Sequence, residues 1–494
     1  MVEDGQHDQY GGLGTDPIAA LRKAIRKDTS RRRFMGMAGM YMAGAVSIEA
    51  LIAACSTGTG SQTATPSSAP KQGGIKVINF FTTEDDPPTQ DALKAAIDAF
   101  SVKNPDVHIV PILISGNERD ERARTGLAVG QDLGIFEIDR AYSPTFVDAG
   151  YLHTLDDLIS GIGGDQFTVG TRQVINGHDY VFPYGGGPFC CWYRTDLSSS
   201  APATIDDLKA IAKANTGGGR YGISLATGGP VAVADTMPMF VWSFGGDYFD
   251  RNGNVIYDKD NVGQAVQAVA DLMKFAPPGN SNWSAFKHID NFLSGLVALS
   301  PWAGRLGVNM FEKKSPQEAK AGVVPPPWGP ERIGLTRWST LAIDKKTAYP
   351  DDAKKFVQFL LTGEAGVKYA NSVPGQLVPA IKSVRDAAAA DVTTPFVKAH
   401  PDWVKTLYNQ TEKGTDYGGP MGANADGTLK LYNGPAAPWS QTAFGANNID
   451  MQMLQKITLQ GMSAKDGQKW AADQYKAIVK DYKAKHPSWK PYNG

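Results

Sequence analysis

This 494-residue chain has few cysteines, few long apolar runs and almost no excess of either charge. Three cysteines occur, and Cys190 and Cys191 are adjacent, where a disulfide is strained and the spacing of a metal site is missing. We therefore expect both to be small buried residues of a strand. The formal net charge is −1, which argues against a nucleic-acid partner, because such binding needs a clustered basic surface.

Motifs of catalysis and cofactor binding are also missing. The chain has no C-x-x-C, H-E-x-x-H or G-x-S-x-G pattern and no glycine-rich phosphate loop. Its seven histidines are scattered without ligand spacing. We expect no enzyme activity, no cofactor and no metal. A glycosidase needs two carboxylates that face each other across a cleft, which sequence does not exclude, so an exported glycan-active enzyme stays an alternative.

The N-terminal residues predict export. Arg31 and Arg32 lie in the run SRRRFM, a twin-arginine pattern, and an uncharged stretch then leads to LIAAC, which resembles a lipobox that ends at Cys55. A single transmembrane anchor is the alternative. It is disfavoured because Glu49 interrupts the apolar run, which falls short of the ~20 residues that a span needs. Cys55 is thus the predicted lipidation site.

The export signal is followed by a tether and a large body. Residues 1–54 are the predicted twin-arginine lipoprotein signal, and residues 55–74, rich in Ser, Thr, Gly and Pro, are a predicted flexible tether. We therefore expect the protein to be exported and lipid-anchored on the outer face of the bacterial cytoplasmic membrane. About 420 residues remain, a length that suits two domains.

Strands and helices alternate at the start of this body. Strands are predicted at 75–81, 107–114 and 133–138, with a helix at 90–102 between the first two. This is the unit of a parallel sheet, and open parallel sheets bind ligands beyond the carboxyl ends of their strands.

The rest of the body reads as mixed strands and helices. Tyr180–Pro188 predicts a short strand broken by glycines, and Phe189–Tyr193 a separate strand. Asn252 and Gly253 predict a hairpin turn. Helices are predicted at 204–214, with Thr204 as N-cap, and at 262–275, 351–361, 448–459 and 465–482.

Five short blocks carry a family resemblance. They are WSFGGD at 242–247, FLSG at 292–295 with PW at 301–302, LAIDK at 341–345, the run from Tyr349 to Ala365, and PGQLVP at 374–379. In this order, across residues 75–485, they resemble family 1 of the extracellular solute-binding proteins of ABC importers, which includes the maltose-binding protein. The resemblance implies a two-lobed, periplasmic-binding-protein-like α/β fold, each lobe a mixed sheet flanked by helices.

The resemblance also implies that the chain crosses three times between lobes that close on a ligand by hinge bending. We expect the crossings near residues 183–187, 325–334 and 375–379. Lobe I then comprises residues 75–183 plus 329–375, and lobe II residues 184–328 plus 376–494. We expect a monomer.

Four positions match ligand contacts of the family. Asp139 and Arg140 stand where family members place an Asp-Arg pair on sugar hydroxyls, with a surface ion pair as the alternative. Trp302, in an expected loop after Pro301, matches a stacking tryptophan, and Trp439 looks like the last stacking aromatic. For both tryptophans the alternative is core packing.

Further candidates follow from their place in the chain. Trp242 is equally expected in the core. The adjacent Arg337 and Trp338 stand where many family members have small residues, so they would shrink the pocket or recruit an anionic group. The other candidates are Thr83 and Glu84 at the end of the first strand and Tyr184 at the first crossing.

The function implied is that of the substrate-binding component of an ABC importer. It captures a carbohydrate, expected to be an oligosaccharide, by hinge closure and delivers it to ABC permease subunits in the membrane. A phosphorylated polyol such as a glycerophosphate, which Arg337 would serve, is one alternative, and a glycan-binding adhesin is another. Glu137 stands where the maltose-binding protein has a tryptophan, so maltose itself is not implied.

Overall fold

The computed structural model describes most of the chain after residue 73. The described residues are 74–116, 118–168, 170–228, 230–250, 252–282, 285–331, 333–416, 438–439, 442–443 and 448–492, with backbone alone at 230–234 and 285–286. They lie within one compact unit, Ala69–Gly494. The predicted signal and lipidation site lie outside them.

Nine of the described strands form a single mixed sheet. Its order is β2-β1-β3-β10-β6-β8-β7, with β11 paired to β10 and β9 to β6, while β4 and β5 form a separate ribbon. The strands are β1 Lys76–Thr82, β2 Val107–Leu113, β3 Ile135–Asp139, β4 Val174–Ile175, β5 His178–Asp179, β6 Phe182–Arg194, β7 Tyr221–Ile223, β8 Val297–Ala303, β9 Ala321–Val324, β10 Gly334–Ile343 and β11 Gly414–Thr415.

Sixteen α-helices are described beside the sheet. They are α1 Pro87–Lys103, α2 Arg119–Ala128, α3 Ser143–Asp148, α4 Asp156–Ile162, α5 Ile205–Ala214, α6 Pro230–Ser243, α7 Asp260–Met273, α8 Ala285–Leu293, α9 Arg305–Glu312, α10 Pro350–Leu361, α11 Gly363–Ala370, α12 Lys382–Ala390, α13 Pro395–Ala399, α14 Pro401–Gln410, α15 Ile449–Gln460 and α16 Ala464–Lys485. Among the described residues, no helix is long and apolar enough to cross a membrane.

The β1-α1-β2 unit confirms the predicted start of the body. β1 pairs in parallel with β2 and with β3, which puts the carboxyl ends of all three strands at one edge of the sheet. α1 covers this part of the sheet with Leu93, Ala96 and Phe100, whose spacing is helical. The ring of Phe100 meets Phe356 of α10 edge to face, with centroids 5.2 Å apart.

Local signals elsewhere are confirmed as well. The side chain of Thr204 accepts a hydrogen bond from the backbone N–H of Asp207, and the Asp207 carboxylate accepts one in return, so α5 begins with a capping box. The predicted hairpin turn closes with a bridge between Phe249 and Val255.

β6 corrects the prediction of two strands separated by glycines. It is one continuous strand of 13 residues, Phe182–Arg194. Its first half pairs with β10, and its second half pairs with β8 and β9. The glycines do not break it because one of them makes room for a neighbour: a Cβ at Gly186 would lie 2.7 Å from the indole of Trp338. Cys190 and Cys191 are free and buried in this strand, as predicted.

Candidate functional site

The ends of β1 and β3 bring two carboxylates together. Thr83 and Glu84 directly follow β1, and Glu137 is the third residue of β3. Thr82 and Thr83 donate their hydroxyl hydrogens to the Glu137 oxygens, over 2.5 and 2.6 Å. Tyr184 of β6 donates to Glu84 Oε1 over 3.0 Å. Among the described residues, the hydrogen bonds to this carboxylate pair come from hydroxyl groups.

Glu84 has a raised pKa and one carboxyl oxygen that is available to a ligand. Burial, then the nearby charge of Glu137, raise its pKa to about 7, and the Tyr184 hydrogen bond opposes that rise. Burial also raises the pKa of Tyr184 well above its usual value. Among the described residues, Glu84 Oε2 makes no hydrogen bond, so one acceptor of this half-buried carboxyl is available.

A second polar cluster surrounds Arg337 on β10. Its guanidinium contacts Asp139 at the end of β3, Asp235 of α6 at 3.3 Å, and Asp416 after β11 at 3.5 Å. Asp139 also pairs with Arg119 of α2 over 3.2 Å. Strand alternation explains the meeting, because the register puts Asp139 opposite Ser339, two residues after Arg337 and on the same face.

Carboxylates in this cluster titrate differently according to their contacts. Burial favours a raised pKa for Asp139, but the charges of Arg337 and Arg119 outweigh it and lower the pKa. Burial raises the pKa of Asp235 to about 7 against the opposing effect of Arg337. Burial also raises the pKa of Asp416. The cluster therefore holds more carboxyl groups than Arg337 neutralises.

Arg140 occupies a different environment from the one that the sequence suggested. It is 2% exposed, and its guanidinium donates to the backbone carbonyls of Gly170 and Arg172 at 2.6 and 3.0 Å. Asp139 pairs with Arg119 and Arg337 instead of its neighbour, so the alternative of a surface ion pair between Asp139 and Arg140 is wrong. Arg140 therefore stabilises the backbone at residues 170–172. Ligand contact by Arg140 stays a prediction.

Trp302 lies inside β8, which corrects its placement in a loop. In the sheet it pairs with Cys190 of β6. Its indole is 7% exposed and packs edge to face on Phe189, with centroids 5.2 Å apart, and beside His288 at 5.0 Å. The buried His288 bonds Ser224 and Ser300 through its two ring nitrogens, which fixes the wall behind Trp302.

The other candidate tryptophans are buried. Trp242 is 1% exposed and donates its indole N–H to Asp247, which is a core position. Trp439 is fully buried and packs on Phe249, Tyr482 and Trp489. In the described part of the chain, Trp439 contacts neither carboxylate cluster. Trp338, also buried, packs on Gly186 of β6.

β1 and β8 are joined beyond their ends. Arg305, three residues after Trp302, pairs with Asp86, two residues after Glu84. Sequence reasoning missed this pair, and it also missed Arg119, Asp235 and Asp416 around Arg337. No sequence motif marks these residues. Each is a single charged residue on a helix or loop, and the partner that defines the cluster is distant in sequence. Among the described residues, no group of three or more His, Cys, Asp or Glu side chains is arranged to hold a metal ion.

This arrangement provides hydrogen-bond acceptors, a phenol and the indole of the buried Trp302 near the ends of β1, β3 and β8. Such groups suit a ligand with hydroxyl groups and apolar C–H faces. The arrangement is one of binding groups, held in place by hydrogen bonds and ion pairs with neighbouring residues.

Comparisons with known proteins agree with this architecture. The family model of bacterial extracellular solute-binding proteins matches residues 86–367. The ABC transporter periplasmic-binding protein YcjN of Escherichia coli (strain K12) is 21% identical over 325 residues, which are 62% of this chain and 74% of YcjN.

Two solved structures share the fold. Maltose-bound MalE3 of T. maritima aligns with a TM-score of 0.66 at 21% identity, over 82% of this chain and 100% of MalE3. An ABC transporter solute-binding protein of Agrobacterium vitis S4 with bound D-mannitol aligns with a TM-score of 0.63 at 20% identity, over 83% of this chain and 99% of the other.

Proposed function

Because the chain belongs to the bacterial extracellular solute-binding proteins, we propose that it captures a carbohydrate, specifically an oligosaccharide, by hinge closure and delivers it to a membrane permease. The predicted two-lobed α/β fold is confirmed by its structural neighbours. The family binds solutes for ABC importers and is not a family of enzymes.

One observation carries the proposal. The ends of β1 and β3 present Glu84 with a free oxygen, Tyr184 beside it, and the β8 strand of Trp302 tied next to them by the Arg305–Asp86 pair. Carboxyl and phenol groups hydrogen-bond to hydroxyls, and an indole face covers sugar C–H groups. Thr83, Glu84, Asp139, Tyr184 and Trp302 are the residues that we propose for ligand contact.

The phosphorylated-polyol alternative gains no support from the contacts of Arg337. Three carboxylates, Asp139, Asp235 and Asp416, already surround that guanidinium. A phosphate would have to displace them or lie beside them, and like charges repel at such distances. An uncharged ligand avoids this repulsion.

Export and anchoring complete the proposal. A solute-binding protein of an importer works outside the cytoplasm, and the family is extracellular. We propose twin-arginine export through Arg31 and Arg32, lipid attachment at Cys55 and a monomeric body with lobes at the boundaries given above.

Thermal unfolding in the presence of candidate ligands tests the function. The panel is maltose, maltotriose, D-mannitol and glycerol 3-phosphate, each added to the purified body from residue 74 onward. A ligand at a hundred times its dissociation constant stabilises the folded state by about 2.7 kcal/mol. We expect a rise in melting temperature with a maltooligosaccharide, and a rise with D-mannitol alone contradicts the proposed oligosaccharide. A rise with glycerol 3-phosphate alone contradicts the proposed carbohydrate, and no rise with any of the four contradicts the proposed ligand class.

A further inference from the structure

Gln376 lies at the turn after α11, where the chain is predicted to cross for the third time. The residue is half-buried, and only its backbone N–H is engaged, by the carbonyl of Val373. Among the described residues, no hydrogen bond involves the side-chain amide of Gln376. A primary amide offers two donors and one acceptor oxygen, so this side chain holds its full bonding capacity where solvent reaches it.

The turn places this amide against the middle of β6. A Cβ at Gly187 would lie 3.1 Å from Gln376 Nε2 and 3.4 Å from Oε1. Gly187 is three residues after Tyr184 and three before Cys190, the partner of Trp302 in the sheet. At about 3.3 Å per residue, the amide is therefore about 10 Å along the strand from each of these positions.

Two backbone contacts fix the turn there. Val378, two residues after Gln376, exchanges backbone hydrogen bonds with Gly186 over 2.8 and 3.1 Å. On the other side, Gly375 packs against Gly304 so closely that a Cβ on Gly304 would collide with the Gly375 carbonyl. Gly304 follows directly after β8 and its Trp302. These contacts hold the amide against the middle of β6, next to Gly187.

The register also places Gln376 beside the charged cluster. Gly187 pairs with Arg337 across the β6–β10 ladder, so the two residues share a face of the sheet. The Arg337 guanidinium is committed to Asp139, Asp235 and Asp416. Gln376 therefore supplies neutral donor groups in a region where carboxylates supply acceptors.

From this geometry we infer that Gln376 is a specificity-determining ligand contact that binds a pair of adjacent hydroxyl groups of an uncharged sugar or polyol. The amide N–H donates to one hydroxyl oxygen and the amide oxygen accepts from the next hydroxyl. Gly187 belongs to this site because any side chain there would push on the amide. The inference rests on the proposed function and adds a residue that the family resemblance did not single out.

Calorimetric titration of two Gln376 variants tests the inference. Gln376→Met keeps the size of the side chain and removes both hydrogen-bonding groups, and Gln376→Glu keeps an acceptor while it loses the donors. The probes are maltose, maltotriose and D-mannitol. We expect the dissociation constant of the Met variant to rise about tenfold or more, since two hydrogen bonds are lost, at an unchanged melting temperature. The Glu variant should weaken binding as well, and it decides the question if the Met variant does not fold.

Gln358→Met is the matched control, because Gln358 is exposed on α10. Its affinity should equal that of the wild type. If the wild type binds a probe and both Gln376 variants bind it with a dissociation constant within threefold of the wild-type value, the role of Gln376 is overturned while the proposed function stands. A wild type that binds none of the probes contradicts the proposed function, and the inference falls with it.

Discussion

Glu84 is a carboxylic acid that titrates near neutral pH. Its pKa is raised from 4.5 to about 7 by burial and by Glu137. Since the pKa is higher in the folded state, the stability that Glu84 contributes is fully present below about pH 4.5 and is lost as the pH rises through 7. Glu84→Gln keeps an oxygen for Tyr184 and should be more stable than the wild type at pH 8 by about 1–2 kcal/mol.

Urea unfolding at about pH 5 and pH 8 measures this effect. The exposed Glu118→Gln variant serves as the control and should follow the wild type at both pH values. A Glu84→Gln protein whose stability falls between these pH values as steeply as that of the wild type would show that Glu84 is not the titrating group.

Arg337 is the residue on which three carboxylates depend. Arg337→Met leaves Asp139, Asp235 and Asp416 without their shared cation. We expect a loss of about 3 kcal/mol at pH 8, with a smaller loss at pH 5, where the carboxyl groups regain protons. Equilibrium unfolding at both pH values checks this.

The control for Arg337 is an exposed ion pair. Arg124 pairs with Glu121 at the surface of α2. Arg124→Met should change stability by less than about 0.5 kcal/mol, as exposed pairs contribute little. Equal losses for Arg337→Met at pH 5 and pH 8 would argue that the guanidinium acts through packing rather than charge.

At the scale of elements, the pairing of β6 with β10 requires that residue 186 be glycine, which has no side chain. A Cβ at Gly186 would lie 2.7–2.9 Å from three carbons of the Trp338 indole, closer than carbon atoms approach. Gly186→Ala should therefore lower the stability of the β6–β10 pair by about 1–3 kcal/mol. Adding Trp338→Leu should recover part of that loss, and a double-mutant cycle by chemical unfolding measures the coupling.

Gly161→Ala is the comparison for that experiment. Gly161 lies in α4, and a Cβ there meets nothing within 4 Å. Alanine is the better helix former, so this variant should gain up to about 1 kcal/mol. If Gly186→Ala and Gly161→Ala behave alike, the contact with Trp338 does not limit the strand.

Elements with a strong local pattern could be predicted from the sequence. α1, α5 and β1 have regular apolar spacing or a cap, and each is confirmed within a few residues. β6 could not be predicted as one strand, because glycine is unfavourable in an isolated strand and only the distant Trp338 explains it. The partners of Arg337 and Arg140 were equally out of reach, since each contact joins residues that are 30 or more positions apart.

At the scale of the whole molecule, the proposed hinge makes a measurable prediction. A ligand shifts the balance toward a closed state only by binding that state better. Small-angle scattering of the body should therefore show a smaller radius of gyration with a ligand from the panel than without it. A Trp302→Ala variant at the same ligand concentration should show less of this change. Scattering that stays the same at saturation would contradict hinge closure.

The position of β6 in the sheet also sets when the protein becomes stable during its synthesis. Residues 182–194 emerge before every strand that pairs with them, since β8, β9 and β10 begin at 297, 321 and 334. The central strand must wait for more than a hundred residues of later chain, and pairing over such separations is slow. The body then completes its sheet only after most of the chain has left the ribosome.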